Sequence, residues 1–168
     1  MRCFVAAWPG QATRVALGAL SDELRRQVKH RRATDIDNLH LTLAFIGSLP
    51  EAAAAAVADA VEELDFKPIK WRIDRLGFFR DAGVVWAGAD RTSNAALTSL
   101  ADRARRLLDE LDVDYDRKPF APHVTLLRGV DHFTSTSLGA PIDWRVDNVA
   151  LYRSSGGRSG SKYSRVLG

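Results

Sequence analysis

Two tetrapeptides stand out for the chemistry they can carry. His40-Leu41-Thr42-Leu43 and His123-Val124-Thr125-Leu126 share the form His-x-Thr-Leu, and both sit inside apolar runs. Near neutral pH one imidazole can be protonated while its partner stays neutral, so two histidines across a phosphodiester supply an acid and a base. Threonine hydroxyls beside them can donate hydrogen bonds to non-bridging phosphate oxygens, where charge must be stabilised in the transition state. A single histidine at the start of a strand is usually a satisfied core or edge residue. Here only four histidines exist and two fall in matching tetrapeptides, which favours a shared site. His30, in a basic helical pattern, and His132, beside a loop, carry no such sign.

If each tetrapeptide is a strand, alternation fixes its faces. His40 and Thr42 point one way, as do His123 and Thr125, while Leu41, Leu43, Val124 and Leu126 point into a core. Each motif follows a helix and a loop holding a basic residue and Asp, and each is followed by glycine, Gly47 or Gly129. The doubling predicts two related halves whose His/Thr pairs converge on one cleft. Strict alternation places Arg128 on the face opposite His123 and Thr125, so a strand end or bulge must redirect it if it serves the same cleft.

The elements that must position these residues follow from periodicity. A buried strand over 2–7 ends at Trp8-Pro9-Gly10. Val15, Leu17, Leu20, Leu24 and Val28 form the stripe of a first amphipathic helix, whose basic face runs on through Arg25-Arg26 to Lys29-His30-Arg31-Arg32. A strand over 39–46 precedes a second helix over 52–64, opened by Pro50 and striped by Val57, Val61 and Leu64. Strands over 69–79 and 84–89 form a hairpin. A third helix over about 93–111 is striped by Leu97, Leu100, Ala104, Leu107, Leu108 and Leu111, with a second run of arginines on its solvated face. A strand over 123–127 follows, then a polar stretch over 131–139, a strand over 144–152 and a Ser/Gly-rich loop over 154–161. A last strand over 163–167 returns antiparallel beside the 144–152 strand. The class is α+β, and the 168 residues suit one domain spanning 1–168.

Composition narrows the setting. Apolar residues make up 46% and charged residues 27%, an ordinary soluble globular balance. Cys3 is the only cysteine, which excludes an internal disulfide and a cysteine-based zinc site and fits a reducing cytoplasm. No window resembles a signal h-region or a membrane span. A formal charge of +3 permits an anionic partner without indicating long-range steering along nucleic acid. A monomer is expected. Phe45, Phe120, Trp86 and Tyr152 could stack on a base but read as core, and are left outside the site.

With these residues in place the chain resembles the two-histidine phosphoesterases, in particular the RNA 2',3'-cyclic phosphodiesterase or 2'-5' RNA ligase branch. The resemblance rests on the opening at 2–7, on 38–47 and 120–128 around the two motifs, and on Leu151-Tyr152-Arg153-Ser154 with Tyr163 beyond. It implies a bilobal α+β fold of two pseudo-symmetric antiparallel sheets flanking a central cleft, with helices outside and no metal or other cofactor. It further implies that RNA ends bearing a 2',3'-cyclic phosphate are the substrate and a 2'-phosphate the product. His40 would protonate the ribose O3', His123 would activate water, and Thr42, Thr125 and Arg128 would hold the phosphate. Joining of RNA ends would be an ATP-free side reaction. Three other readings stay open on the residues alone: the same chemistry on a non-RNA cyclic phosphate or a 2'-5' oligonucleotide, a module that only grips RNA ends, and a metal-dependent hydrolase drawing on Asp35, Asp37 or Asp116.

Overall fold

The computed structural model describes residues 1–90, 94–157 and 160–168. Strand β1 (Arg2–Ala7) is followed by helix α1 (Gln11–Gln27), a two-residue strand β2 (Arg32–Ala33), a 3-10 turn over Ile36–Asn38, strand β3 (Leu41–Ser48) and helix α2 (Glu51–Glu62). The hairpin β4 (Ile69–Phe79) and β5 (Val84–Gly88) leads to helix α3 (Ala95–Glu110), strand β6 (His123–Arg128) and the closing strands β7 (Thr136–Val146), β8 (Ala150–Gly157) and β9 (Gly160–Arg165).

The strands form two sheets, ordered β3-β1-β8-β9 and β2-β6-β5-β4-β7, with antiparallel neighbours throughout. The halves match: β1-α1-β3 in one corresponds to β5-α3-β6 in the other, and each motif strand pairs with the strand that precedes its helix. Helix α1 packs against β6 and β7, α2 against β8, and α3 against β3 and β4. One apolar cluster joins both sheets and all three helices; Leu17, Val57, Leu97, Trp71, Trp144, Leu43 and Leu126 belong to it. The sheet faces turned away from the helices flank the cleft.

Both motif strands are irregular at the same place. Val5 pairs with Ala44 and Ala6 with Thr42, so Leu43 is an extra residue; Val85 pairs with Leu127 and Trp86 with Thr125, so Leu126 is an extra residue. A bulge of this kind turns two successive side chains toward one face and then reverses the alternation. Leu43 and Ala44 are accordingly both buried, as are Leu126 and Leu127. Phe45 and Arg128 come out on the cleft side at corresponding positions.

The segment that leads into each histidine is bonded to the strand of the other. Arg31 N–H donates to Arg128 O at 3.0 Å and Thr34 N–H to Leu126 O at 2.8 Å, bracketing the β2–β6 pairing. On the opposite side Asp116 N–H donates to Phe45 O at 2.8 Å. Gly129 ends β6 at φ 68°, a left-handed turn, and a Cβ there would lie 2.7 Å from the Arg31 side chain. Glycine therefore answers both the turn and the close approach of the first crossing segment.

Several sequence expectations need correction. Helix α1 stops at Gln27, with Val28 already extended, so Lys29-His30-Arg31-Arg32 is not a helix face. The stripe is rotated as well: Val15 is 57% exposed, while Thr13, Gly18 and Ser21 are buried beside Leu17 and Leu24. The buried face uses small residues, and Thr13 Oγ1 donates to Asp143 O at 3.0 Å, a close packing that a count of apolar side chains does not register. The expected strand over 144–152 is two strands in different sheets, parted at Asp147-Asn148, where the chain crosses between them. The polar stretch over 131–139 becomes, from Thr136, the start of β7, an edge strand with largely exposed side chains. Much of the Ser/Gly-rich stretch is a hairpin arm, while the expected antiparallel return of the last strand is present as β9 against β8, with Arg165 opposite Tyr152. Residues 158 and 159 of that stretch lie outside the described residues, as does the predicted start of the third helix at Ser93.

At the register pair Gly77↔Trp86 the indole lies across the glycine, and a Cβ at position 77 would collide with the Trp86 ring. Gly77→Ala should cost about 1–3 kcal/mol, as overpacking does, and should move Trp86. Denaturant unfolding and near-ultraviolet circular dichroism check both effects.

Candidate active site

The capped turn before β3 delivers His40. Asp35 Oδ1 accepts from Asp37 N–H at 3.2 Å, and Asn38 Nδ2 donates to Ser161 O at 2.7 Å, which ties the turn to β9. The Asn38 carbonyl then accepts from His40 Nδ1 at 2.6 Å. His123 is held in the same way, its Nδ1 donating to Ala121 O at 2.7 Å. A carbonyl can only accept, so in each ring Nδ1 carries the hydrogen and Nε2 holds the free lone pair. Thr42 Oγ1 lies 3.0 Å from His40 Nε2 and can donate to it.

His40, Thr42, His123 and Thr125 are half-buried, and Leu41, Leu43, Val124 and Leu126 are fully buried, as period two requires. The structure brings the two histidines near enough for a charge on His123 to act on His40, and the Arg128 charge acts on both rings. The bulge at Leu126 is what returns Arg128 to the histidine face. His30 Nδ1 bonds to Val28 O at 2.7 Å, and His132 is exposed on a loop.

Sequence reasoning missed an aromatic wall. The His40 ring is stacked on Trp8, with centroids 4.9 Å apart and planes at 9°. Phe4 lies at 5.0 Å and Tyr163 meets His40 edge-on at 5.2 Å. Trp8 is itself fixed: Asn148 bonds both its N–H and its carbonyl, the indole N–H donates to Asp37 O at 3.2 Å, and Tyr152 stacks on it at 4.1 Å. On the other side Phe79 meets His123 edge-on at 4.9 Å, with Trp86 at 6.5 Å. Trp86 and Tyr152, read from sequence as core, therefore line the cleft. Phe45 is 39% exposed under the Arg2 guanidinium, which is 5.5 Å from its ring centroid; Phe120 packs against the core as expected. The available signal was the period two of β1 carried one residue past its end, which places Phe4 and Trp8 on one face.

Burial lowers the basicity of both imidazoles. Desolvation lowers the His40 pKa from 6.5 to about 4, opposed by the bond to Asn38 and reinforced by His123 and Arg128. The His123 pKa is also lowered, first by burial and then by the Arg128 charge, against the bond to Ala121. Both shifts favour the neutral ring at pH 7. Among the described residues no group of three or more His, Cys, Asp or Glu side chains is placed to share a metal ion. No helix among them is long and apolar enough to cross a membrane.

With this geometry in hand, comparison with known proteins is decisive. The model of the 2'-5' RNA ligase superfamily matches residues 13–158. The chain belongs to that superfamily. An RNA 2',3'-cyclic phosphodiesterase of Escherichia coli (strain K12) is 31% identical over 159 residues, 86% of this chain and 88% of that one. One of Archaeoglobus fulgidus is 32% identical over 131 residues, 76% and 72% of the two chains. A crystal structure of E. coli LigT complexed with 3'-AMP superposes with a TM-score of 0.84 at 27% identity, covering 98% of this chain and 94% of that one. The superfamily fold of two antiparallel sheets about a cleft is therefore present here, as the resemblance implied.

The depressed histidine values make acid destabilising for this superfamily member. Between about pH 6.5 and 4 the unfolded chain binds protons that the folded chain does not, so stability falls as pH falls through that window. His40→Gln should flatten this part of the curve by about 3 kcal/mol. Thermal unfolding of both proteins from pH 7 to pH 4 measures the difference.

Proposed function

We propose that this protein is an RNA 2',3'-cyclic phosphodiesterase in which His40 and His123 act as acid and base without a metal. The observation that carries this reading is the matched pair of imidazoles, each with Nδ1 donating to the carbonyl two residues upstream and Nε2 left as an acceptor, which in His40 faces the Thr42 hydroxyl. The relatives named as RNA 2',3'-cyclic phosphodiesterases support the substrate class.

An anionic cyclic phosphate entering the cleft favours the protonated form of a nearby imidazole. His40 is the better holder of that proton, because the indole face of Trp8 lies parallel to its ring and attracts an imidazolium as it would other cations. His123 Nε2 then removes a proton from water as the oxygen attacks phosphorus. The P–O3' bond breaks, His40 Nε2 gives its proton to O3', and a 2'-phosphate remains. Thr42, Thr125 and Arg128 take the non-bridging oxygens, where hydrogen bonds aimed at developing charge contribute most. With the 5'-hydroxyl of a second RNA in place of water, the same displacement joins the ends through a 2'-5' bond without ATP. We take the enzyme to work as a monomer in the cytoplasm, where the buried free thiol of Cys3 stays reduced.

The test is hydrolysis, in EDTA, of a mononucleoside 2',3'-cyclic phosphate and of a short RNA ending in one, with products assigned as 2'- or 3'-phosphates. The expected product is the 2'-phosphate, with kcat/KM lower by about 10²- to 10⁴-fold in His40→Ala and in His123→Ala. Turnover of ADP-ribose cyclic phosphate but of neither RNA substrate, or activity indifferent to either substitution, would overturn the proposal.

A further inference from the structure

Beside the cleft, between α1, the segment over 32–39 and the start of β9, lies an open polar groove of about 910 Å³. Neither catalytic histidine lines it, yet it meets their site at Asn38, Arg128 and Tyr163. It is therefore a second compartment, and its volume is near the top of the range for small-ligand pockets.

The charges in the groove are unevenly satisfied. Among its carboxylates, Asp22 lies 3.9 Å from Arg25, Asp37 lies 3.4 Å from Arg14, and Asp35 caps the turn before His40. Arg25 is further engaged with Thr34 O at 3.1 Å. Arg32, Arg128 and Lys162, by contrast, have no side-chain hydrogen bond or ion pair among the described residues. Arg32 and Arg128 are also direct cross-strand partners in the β2–β6 pairing. Like charges directly opposite each other destabilise a strand pair, and an anion held between them relieves that repulsion with charge-assisted bonds. The short β2 thus places a second arginine beside the one that faces the histidines, at the boundary between cleft and groove.

We propose that this groove holds the nucleotides that precede the reacting end of an RNA strand, with Arg32 and Lys162 taking their backbone phosphates. The inference rests on the phosphodiesterase reading and adds that the preferred substrate is an oligonucleotide rather than a mononucleotide. The ligand chemistry is that of successive phosphodiesters: dispersed anionic charge in an open, polar channel, with Arg128 bridging from the terminal phosphate to the next.

The test measures binding and turnover separately. A fluorescein-labelled RNA octamer ending in a 2'-phosphate is titrated by anisotropy across a salt series, and hydrolysis of a mononucleoside 2',3'-cyclic phosphate is followed in parallel. The wild type should bind the octamer at least tenfold more tightly than a mononucleoside 2'-phosphate. Each backbone-phosphate contact adds about −0.7 to the log–log salt slope, so Arg32→Ala and Lys162→Ala should each make it shallower by about that amount. Both should weaken octamer binding severalfold more than they raise KM for the mononucleotide, and Arg32→Lys should restore the slope. An octamer bound no better than the mononucleotide, or variants that weaken both ligands equally, would overturn the groove assignment. Tight, variant-sensitive octamer binding with no hydrolysis of either the mononucleoside or a short RNA 2',3'-cyclic phosphate would instead support the groove while contradicting the phosphodiesterase reading.

Discussion

Three backbone hydrogen bonds carry the chain across from one half to the other: Arg31 to Arg128, Thr34 to Leu126, and Asp116 to Phe45. In each case the segment that delivers one histidine is bonded to the strand that presents the other. Two sheets joined only by loops could set their histidines at any separation. With these crossings each half is completed by a piece of the other, and the same bonds satisfy peptide groups at the outer edges of β3 and β6 that would otherwise be left open. The placement of the site is thus tied to the integrity of both sheets.

Local order within each half then decides what the convergent groups can do. The carbonyls of Asn38 and Ala121 fix the imidazole tautomers, so both Nε2 atoms keep a lone pair, that of His40 within reach of the Thr42 hydroxyl. The aromatic wall around His40 removes water and lowers its basicity, while offering a face suited to the imidazolium once a phosphate is present. Burial and stacking therefore work in opposite directions on one ring. The halves share one bulge, beyond which one places Phe45 and the other Arg128, and β3 alone has a second register shift opposite Cys3 and Phe4. That difference breaks the symmetry of the cleft and puts a guanidinium on one side of it only.

Much of this was legible in the sequence, for identifiable reasons. Period two in the two motifs assigned Leu41, Leu43, Val124 and Leu126 to the core and both His/Thr pairs to one face, and the doubled tetrapeptide implied two halves. The helical stripe from Leu97 to Leu108 was equally clear, closing at its start on the Asn94 cap. The bulges were not legible, because an extra residue opposite Ala6 or Trp86 is defined by its partner strand and leaves no mark in the local pattern. Arg128 looked misplaced for that reason alone. The basic run after α1 resembled a solvated helix face, and only its pairing with β6 made it a strand. Trp8 read as the end of a strand, since its bonds to Asn148 span 140 positions of chain.

The central claim, that one phosphate meets both imidazoles, is most directly tested by 15N NMR of the histidine rings during titration with a mononucleoside 2'-phosphate. Convergence predicts that His40 and His123 Nε2 resonances move together along one saturation curve, with net proton uptake and with both Nδ1 atoms remaining protonated. Movement of one ring alone, or two rings responding with different midpoints, would contradict a shared site.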